Sequence, residues 1–178
     1  MRLPVLLLSF LIAITATAQQ PSATEVLKEA TATAAKENKK VFIIFHASWC
    51  VWCHRMDTSM NDKTVKAFFD DNYVIRHLTL NESPNKKNLE NPGADEMMLK
   101  YNGKDQGIPY WLIFDNTGKF LFDSKRRPEG GGPETGNNTG CPASEPEVGY
   151  FVSVLKQTSK LTDKQLAVIF DVFRKNDH

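Results

Sequence analysis

Residues 41–56, VFIIFHASWCVWCHRM, decide how the chain folds. Val41 to Ala47 is a short, mostly apolar run rich in β-branched and aromatic residues, the pattern of a strand buried on both faces of a sheet. A helix is expected directly after it, from about Cys50 to Met60, so Cys50 and Cys53 fall at a strand-to-helix junction. A helix N-terminus offers unpaired backbone amides and the positive end of the helix dipole, so a thiolate at Cys50 is favoured there relative to a free thiol. The three-residue spacing sets Cys53 on the same helical face, close enough to attack a mixed disulfide formed at Cys50.

Working outward, Ser22-Ala23-Thr24-Glu25 is a capping-box pattern that opens an amphipathic helix over 22–37, ended by Lys39 and Lys40. On the other side, Asn61 and Asp62 are expected to cap a second helical stretch carrying Val65, Ala67, Phe68 and Phe69. Tyr73 to Leu80 returns as a strand. Residues 81–95, rich in Asn, Lys and Pro, are a surface excursion, followed by a short helix through Met97, Met98, Leu99 and Tyr101. Tyr110–Asp115 and Phe120–Asp123 flank Asn116-Thr117-Gly118-Lys119 and form a hairpin. Five Gly and four Pro between 128 and 146 speak for a long loop without a packed element. Helices near 146–158 and 162–175 close the chain, the last with Leu166, Ile169, Phe170 and Phe173 as a core-facing stripe. This alternation implies an α/β fold of three layers: a central mixed sheet, parallel strands inside, flanked by helices on both faces.

The chain opens with Met1, Arg2 and an apolar stretch from Leu3 to Ile14, and Ala16-Thr17-Ala18 supplies a small-residue cleavage site. That is the pattern of a secretory signal peptide over 1–18, too short in its apolar core to span a membrane. An exported protein, periplasmic or secreted, is therefore expected, with residues 19–178 as a single domain. Arg2 is the sole charged residue of the leader, so the remainder carries equal numbers of basic and acidic residues. Neither a nucleic-acid nor an anionic-membrane partner is indicated by that balance. Three cysteines are too few for a disulfide-stapled scaffold, and their odd number leaves at least one without a partner in the chain. Cysteine here serves chemistry or is not put to use at all.

A second, independent feature is Gly107-Ile108-Pro109 immediately before the strand YWLIFD. Proline at that point supplies no ladder donor, and an X-Pro bond held cis is one reason to keep it; a trans proline simply beginning the strand is the other reading. With both features in view, FHASWCVWC and GIPYWLIFDNTGK resemble the strand-plus-active-site segment and the cis-proline loop, strand and turn of the thioredoxin family. The similarity is greatest to exported thioredoxin-like domains that take electrons from membrane reductases, and it runs from about residue 24 to 125. It implies a thiol-disulfide oxidoreductase in which Cys50 is the nucleophile, Cys53 the resolving cysteine, Trp49 the aromatic flank and Pro109 the cis-proline beside the sulfurs. It implies further that the backbone of Ile108 pairs with a substrate peptide, and that a buried acidic residue helps the resolving thiol lose its proton. This sequence has Ile44 in place of that acid.

His54, four residues after Cys50, is a candidate modulator of the thiolate, whereas His46 and His77 lie within strands and are read as structural. Trp52 and Trp111 are candidates for framing a substrate groove, and Cys141 is read as an incidental loop thiol. No cofactor and no metal are expected, the partners are protein or peptide disulfides and a membrane-bound or soluble thiol redox partner, and the protein is expected to be a monomer. Three other classes compete. Cys50-Val51-Trp52-Cys53-His54 also spells a c-type haem attachment motif, but that reading leaves the buried strand and the Gly-Ile-Pro strand unexplained. A zinc site built on Cys50, Cys53, Cys141 and a histidine lacks a second spaced pair. Against a binding or chaperone module without turnover stand the intact cysteines. Val51-Trp52 and Ile108 lean toward a reductase or isomerase helper, as similar residues do in the family.

Overall fold

The computed structural model describes residues 19–177; the leader expected over residues 1–18 lies outside them. Helix α1, Ala23–Glu37, begins with the expected capping box: Glu25 N donates to Ser22 Oγ at 3.2 Å, and Ser22 N donates back to Glu25 Oε2 at 2.8 Å. Asn38, with φ of 54°, ends it in the left-handed conformation. Strand β1, Lys40–His46, follows, then α2, Val51–Met60, and α3, Lys66–Asn72. Strand β2 is Tyr73–Thr79, a 3-10 turn covers Pro84–Leu89, and α4 is Ala94–Lys100. The hairpin is β3, Tyr110–Phe114, and β4, Phe120–Asp123. Two-residue strands β5, Lys125–Arg126, and β6, Asn137–Asn138, precede α5, Glu145–Thr158, and α6, Asp163–Arg174.

The main sheet has the order β2-β1-β3-β4. β1 is buried on both faces, and its side chains alternate between two cores. Val41, Ile43 and Phe45 join Leu112 and Phe114 beneath α1 and α4. Phe42 and Ile44 join Trp111 and Ile113 beneath α2, α3, α5 and α6, where Phe151 and Phe173 pack with ring centroids 4.8 Å apart. The near-continuous apolar run in β1 is thus the signature of three layers. Each core is sealed by a polar anchor on a tyrosine: Tyr73 shares a 2.6 Å hydrogen bond with Thr158, and Tyr110 donates to Tyr101 O at 2.8 Å.

Three expectations are corrected. The interior pair is antiparallel, since β1 runs parallel only to the edge strand β2 and antiparallel to β3. After β2 the chain crosses by way of the 3-10 turn and α4, and enters β3 from the opposite end. Asn61 and Asp62 do not cap α3: Asn61 closes α2, Asp62 accepts from Thr64 N at 2.9 Å in the turn between the helices, and α3 starts at Lys66 without a side-chain cap. The segment 128–146 is not structureless, because β6 pairs with β5 and Thr139, Cys141 and Ala143 are buried. The stripe on α6 is as expected for Leu166, Ile169 and Phe173, with Phe170 only partly buried.

Phe151 touches both the sheet and α6, so Phe151→Ala should lower unfolding stability by about 3–5 kcal/mol. Leu99, on the exposed side of α4, should change it by less than about 0.5 kcal/mol when replaced by Ala. Urea titration of the two variants measures the contrast.

Candidate active site

The turn from β1 to α2 delivers Cys50 to the helix start. Cys50 N donates to Ala47 O at 3.0 Å, closing the turn, and Cys50 is the N-cap of α2 with its Sγ accepting from Cys53 N at 3.1 Å. The sulfur therefore occupies the place where a capping oxygen normally satisfies an orphan amide. Cys50 and Cys53 form a disulfide, with Cα atoms 5.3 Å apart. The Ile108–Pro109 bond is cis, and Ile108 O lies 3.6 Å from Cys50 Sγ. Around this nearly buried pair the rim is apolar and open: Trp49, Val51 and Trp52 are 57%, 64% and 45% exposed. Arg55 lies over the Trp52 ring at 4.5 Å.

The excursion after β2 buttresses the turn. Glu82 is buried, and its carboxylate takes hydrogen bonds from Ser48 N at 2.5 Å and Ser48 Oγ at 2.8 Å. These bonds, the amide's foremost, hold its pKa below the usual carboxylate range. Trp49 Nε1 donates to Asn81 O at 2.8 Å, fixing the indole beside the sulfurs. Neither Asn81 nor Glu82 carried a distinguishing pattern in the sequence, because both act at a distance of more than thirty residues, each through polar contacts with one residue.

The model of the thioredoxin-like family matches residues 22–116, more than half of the chain. The chain belongs to the thioredoxin-like family. Among solved structures, a disulphide isomerase from Xylella fastidiosa Temecula1 superposes with a TM-score of 0.50 at 18% identity, over 92% of this chain and 97% of that one. A DsbH oxidoreductase aligns over 89% of this chain and 96% of its own at 22% identity and a TM-score of 0.43. The C-terminal domain of Neisseria meningitidis DsbD in the oxidised form covers 78% of this chain and 98% of that domain, at 18% identity and a TM-score of 0.45. A comparison with curated protein sequences finds no match. The molecule thus has the fold of a thioredoxin-like disulfide oxidoreductase, with the Cys50–Cys53 disulfide in its Cys-x-x-Cys motif.

Within this thioredoxin-like site, His54 does not reach a sulfur with a hydrogen bond; its Nε2 meets Ser48 O at 3.0 Å. His77 Nε2 pairs with Asp57 Oδ1 at 2.8 Å, and His46 Nε2 meets Thr79 Oγ1 at 3.1 Å, the two imidazole centroids lying 4.8 Å apart. Ile44, at the position of the missing acid, is buried in the core. Trp52 lines a cleft of about 190 Å³ with Ile108, Pro109 and Gly140, whereas Trp111 is wholly buried and frames no groove. Among the described residues, no three or more of His, Cys, Asp or Glu converge as the zinc reading requires.

Cys141 is not a loose loop thiol. It is packed among Phe151, Met56 and the other residues of the larger core, with Asn176 Nδ2 at 3.4 Å from its sulfur, and burial pushes its pKa up to about 12. The sequence marked Cys141 only by its Gly and Pro neighbours, which hid its burial. In the oxidised protein, alkylation of Cys141 at neutral pH should be slower than that of an unfolded-chain thiol by roughly three orders of magnitude. Denaturant should restore ordinary reactivity, and equal rates with and without denaturant would contradict the burial.

His46 yields a pH dependence. Burial, and then the neighbouring His77, push its pKa down, against the opposing pull of Asp57 and Glu82. The unfolded chain takes up a proton at this residue near pH 6.5 while the folded one does not, so unfolding free energy rises with pH through that range. The contribution of His46 is full above about pH 6.5 and is lost as pH falls toward its lowered folded pKa. Urea midpoints followed from about pH 7 to about pH 5 should decline less steeply in His46→Gln than in the wild type.

Proposed function

We propose that the protein is an exported oxidoreductase that reduces disulfides in proteins or peptides. The observation that carries this reading is Cys50 at the N-cap of α2, bonded to Cys53 and facing the Ile108 carbonyl. In the reduced protein the Cys50 thiolate, stabilised by the Cys53 amide and the helix start, attacks a substrate disulfide. One substrate sulfur leaves as a thiolate and the other is held in a mixed disulfide with Cys50. The Cys53 thiolate then attacks Cys50 Sγ, releasing the second substrate thiol and leaving the Cys50–Cys53 disulfide. Two electrons have passed to the substrate, and a dithiol redox partner, membrane-bound or soluble, restores the reduced pair.

The surroundings of Cys50 support the reducing direction. Its Sγ meets one amide and one carbonyl, and the His54 ring turns to Ser48 O, so Cys50 takes no hydrogen bond from an imidazole. Strongly oxidising members of this chemistry owe their potential to a reduced form that is unusually stable. With less stabilisation, the pair belongs toward the reducing end, in keeping with Val51-Trp52 and Ile108. Trp49 and the backbone at Ile108 and Pro109 receive the substrate chain, and His54 braces the turn through Ser48 O. Export rests on the leader pattern in residues 1–18.

Insulin-type disulfide reduction should be catalysed by the wild type and fall to background in Cys50→Ser. Cys53→Ser should accumulate mixed disulfides that a small reductant releases. Turnover without Cys50, or an absence of trapped species where the wild type is active, would sink the assignment.

A further inference from the structure

The Gly- and Pro-rich stretch between β4 and α5 forms a strap tied to itself and to the body. Thr139 N and Oγ1 both donate to Ser124 O, at 2.8 and 2.9 Å. The buried Lys125 donates through Nζ to Glu134 O at 2.8 Å. Arg127 grips the Asp123 carboxylate with both terminal nitrogens, at 2.7 and 2.6 Å, and reaches Pro133 O. Gly136, with φ of +83°, lets the chain fold back so closely that a Cβ there would meet Arg126 O at 2.5 Å. Such a network is a rigid support.

What the strap supports is Asn138. Its Nδ2 donates to Gly107 O at 2.7 Å and to Pro109 O at 3.0 Å, one carbonyl on either side of Ile108. Its Oδ1 accepts from Gly140 N at 2.9 Å, and its own amide donates to Gln106 Oε1 at 3.1 Å. With the oxygen engaged by an N–H, the two donors have only one way to face. Gly140 is in turn held by Trp111 Nε1, which donates to its carbonyl at 3.1 Å. Two of the three successive carbonyls are occupied by the strap, and the third, that of Ile108, is presented to Cys50. Asn138, Thr139 and Gly140 also line the cleft that Trp52, Ile108 and Pro109 line.

We propose that Asn138 is a positioning residue: it fixes the backbone around Ile108 against Cys50, and the strap beside it is the wall against which the extended chain flanking a substrate disulfide lies. The inference rests on the oxidoreductase reading above and deepens it by naming peptide-borne disulfides as the preferred class. A small disulfide without a flanking chain reaches the sulfurs without using this wall, whereas an extended peptide must align on it.

The test compares a disulfide-bridged peptide with a small aromatic disulfide as substrates of the full-length protein and of two variants. Asn138→Ala removes all the side-chain bonds. The nearly isosteric Asn138→Asp keeps an acceptor for Gly140 N but turns an oxygen toward the two carbonyls, so it remains informative if the alanine variant folds poorly. In both, the peptide-to-small-disulfide ratio of kcat/KM should fall about tenfold, through KM, as expected for the loss of two hydrogen bonds that hold a binding surface. Amide hydrogen exchange should quicken in residues 107–110 and stay protected in β1. A ratio within twofold of wild type, or unchanged exchange in 107–110, would overturn the inference. A wild type that reduces neither substrate would instead refute the oxidoreductase reading on which it rests.

Discussion

Strand β1 has no face in water, and the remainder of the architecture answers that constraint. Val41, Ile43 and Phe45 need cover on one side and Phe42 and Ile44 on the other, which is why helices lie on both faces of a four-stranded sheet. A strand so enclosed has little freedom to slide, because a shift by one residue would exchange its two faces. Its C-terminal end is therefore a fixed platform, and the four residues from Ala47 to Cys50 make the turn that sets the sulfur on the first amides of α2. Precision at the sulfurs originates in hydrophobic burial several residues upstream.

Elements governed by local pattern were legible in the sequence. The β1-to-α2 junction, the capping box at Ser22, the hairpin around Asn116-Thr117-Gly118-Lys119 and the core stripe of α6 each write their signal within a few residues. The direction of β3 was not legible in the same way, since it depends on how the chain travels between β2 and β3 and not on the residues of either strand. Asn61 and Asp62 have the composition of helix caps, but Asn61 closes the preceding helix α2 and Asp62 serves the tight turn, so neither caps α3. The contacts that complete the site were equally hidden. Glu82 on Ser48 and Asn138 on Gly107 and Pro109 are polar side chains meeting backbone far along the chain, and such pairs leave no periodicity behind.

The strap shows how a stretch poor in apolar residues can still be well defined. Its order comes from charged and amide side chains that satisfy backbone carbonyls, at Glu134, Pro133, Gly107 and Pro109, in a region where regular ladders are short. Backbone polar groups near a buried surface need partners of some kind, and here side chains of Lys125, Arg127 and Asn138 provide them. Gly and Pro in this stretch mark close approaches of the chain to itself, which is a different use of the same residues from a flexible linker.

The burial of Cys141 has a consequence for electron stoichiometry. A chain with three cysteines could in principle distribute one disulfide among three pairings and leave a different odd thiol in each. Enclosed in the core, with burial raising its pKa, Cys141 is shielded from that exchange, which leaves Cys50 and Cys53 as the two-electron pair. The thiol left unpaired beside the Cys50–Cys53 disulfide is thus the buried one.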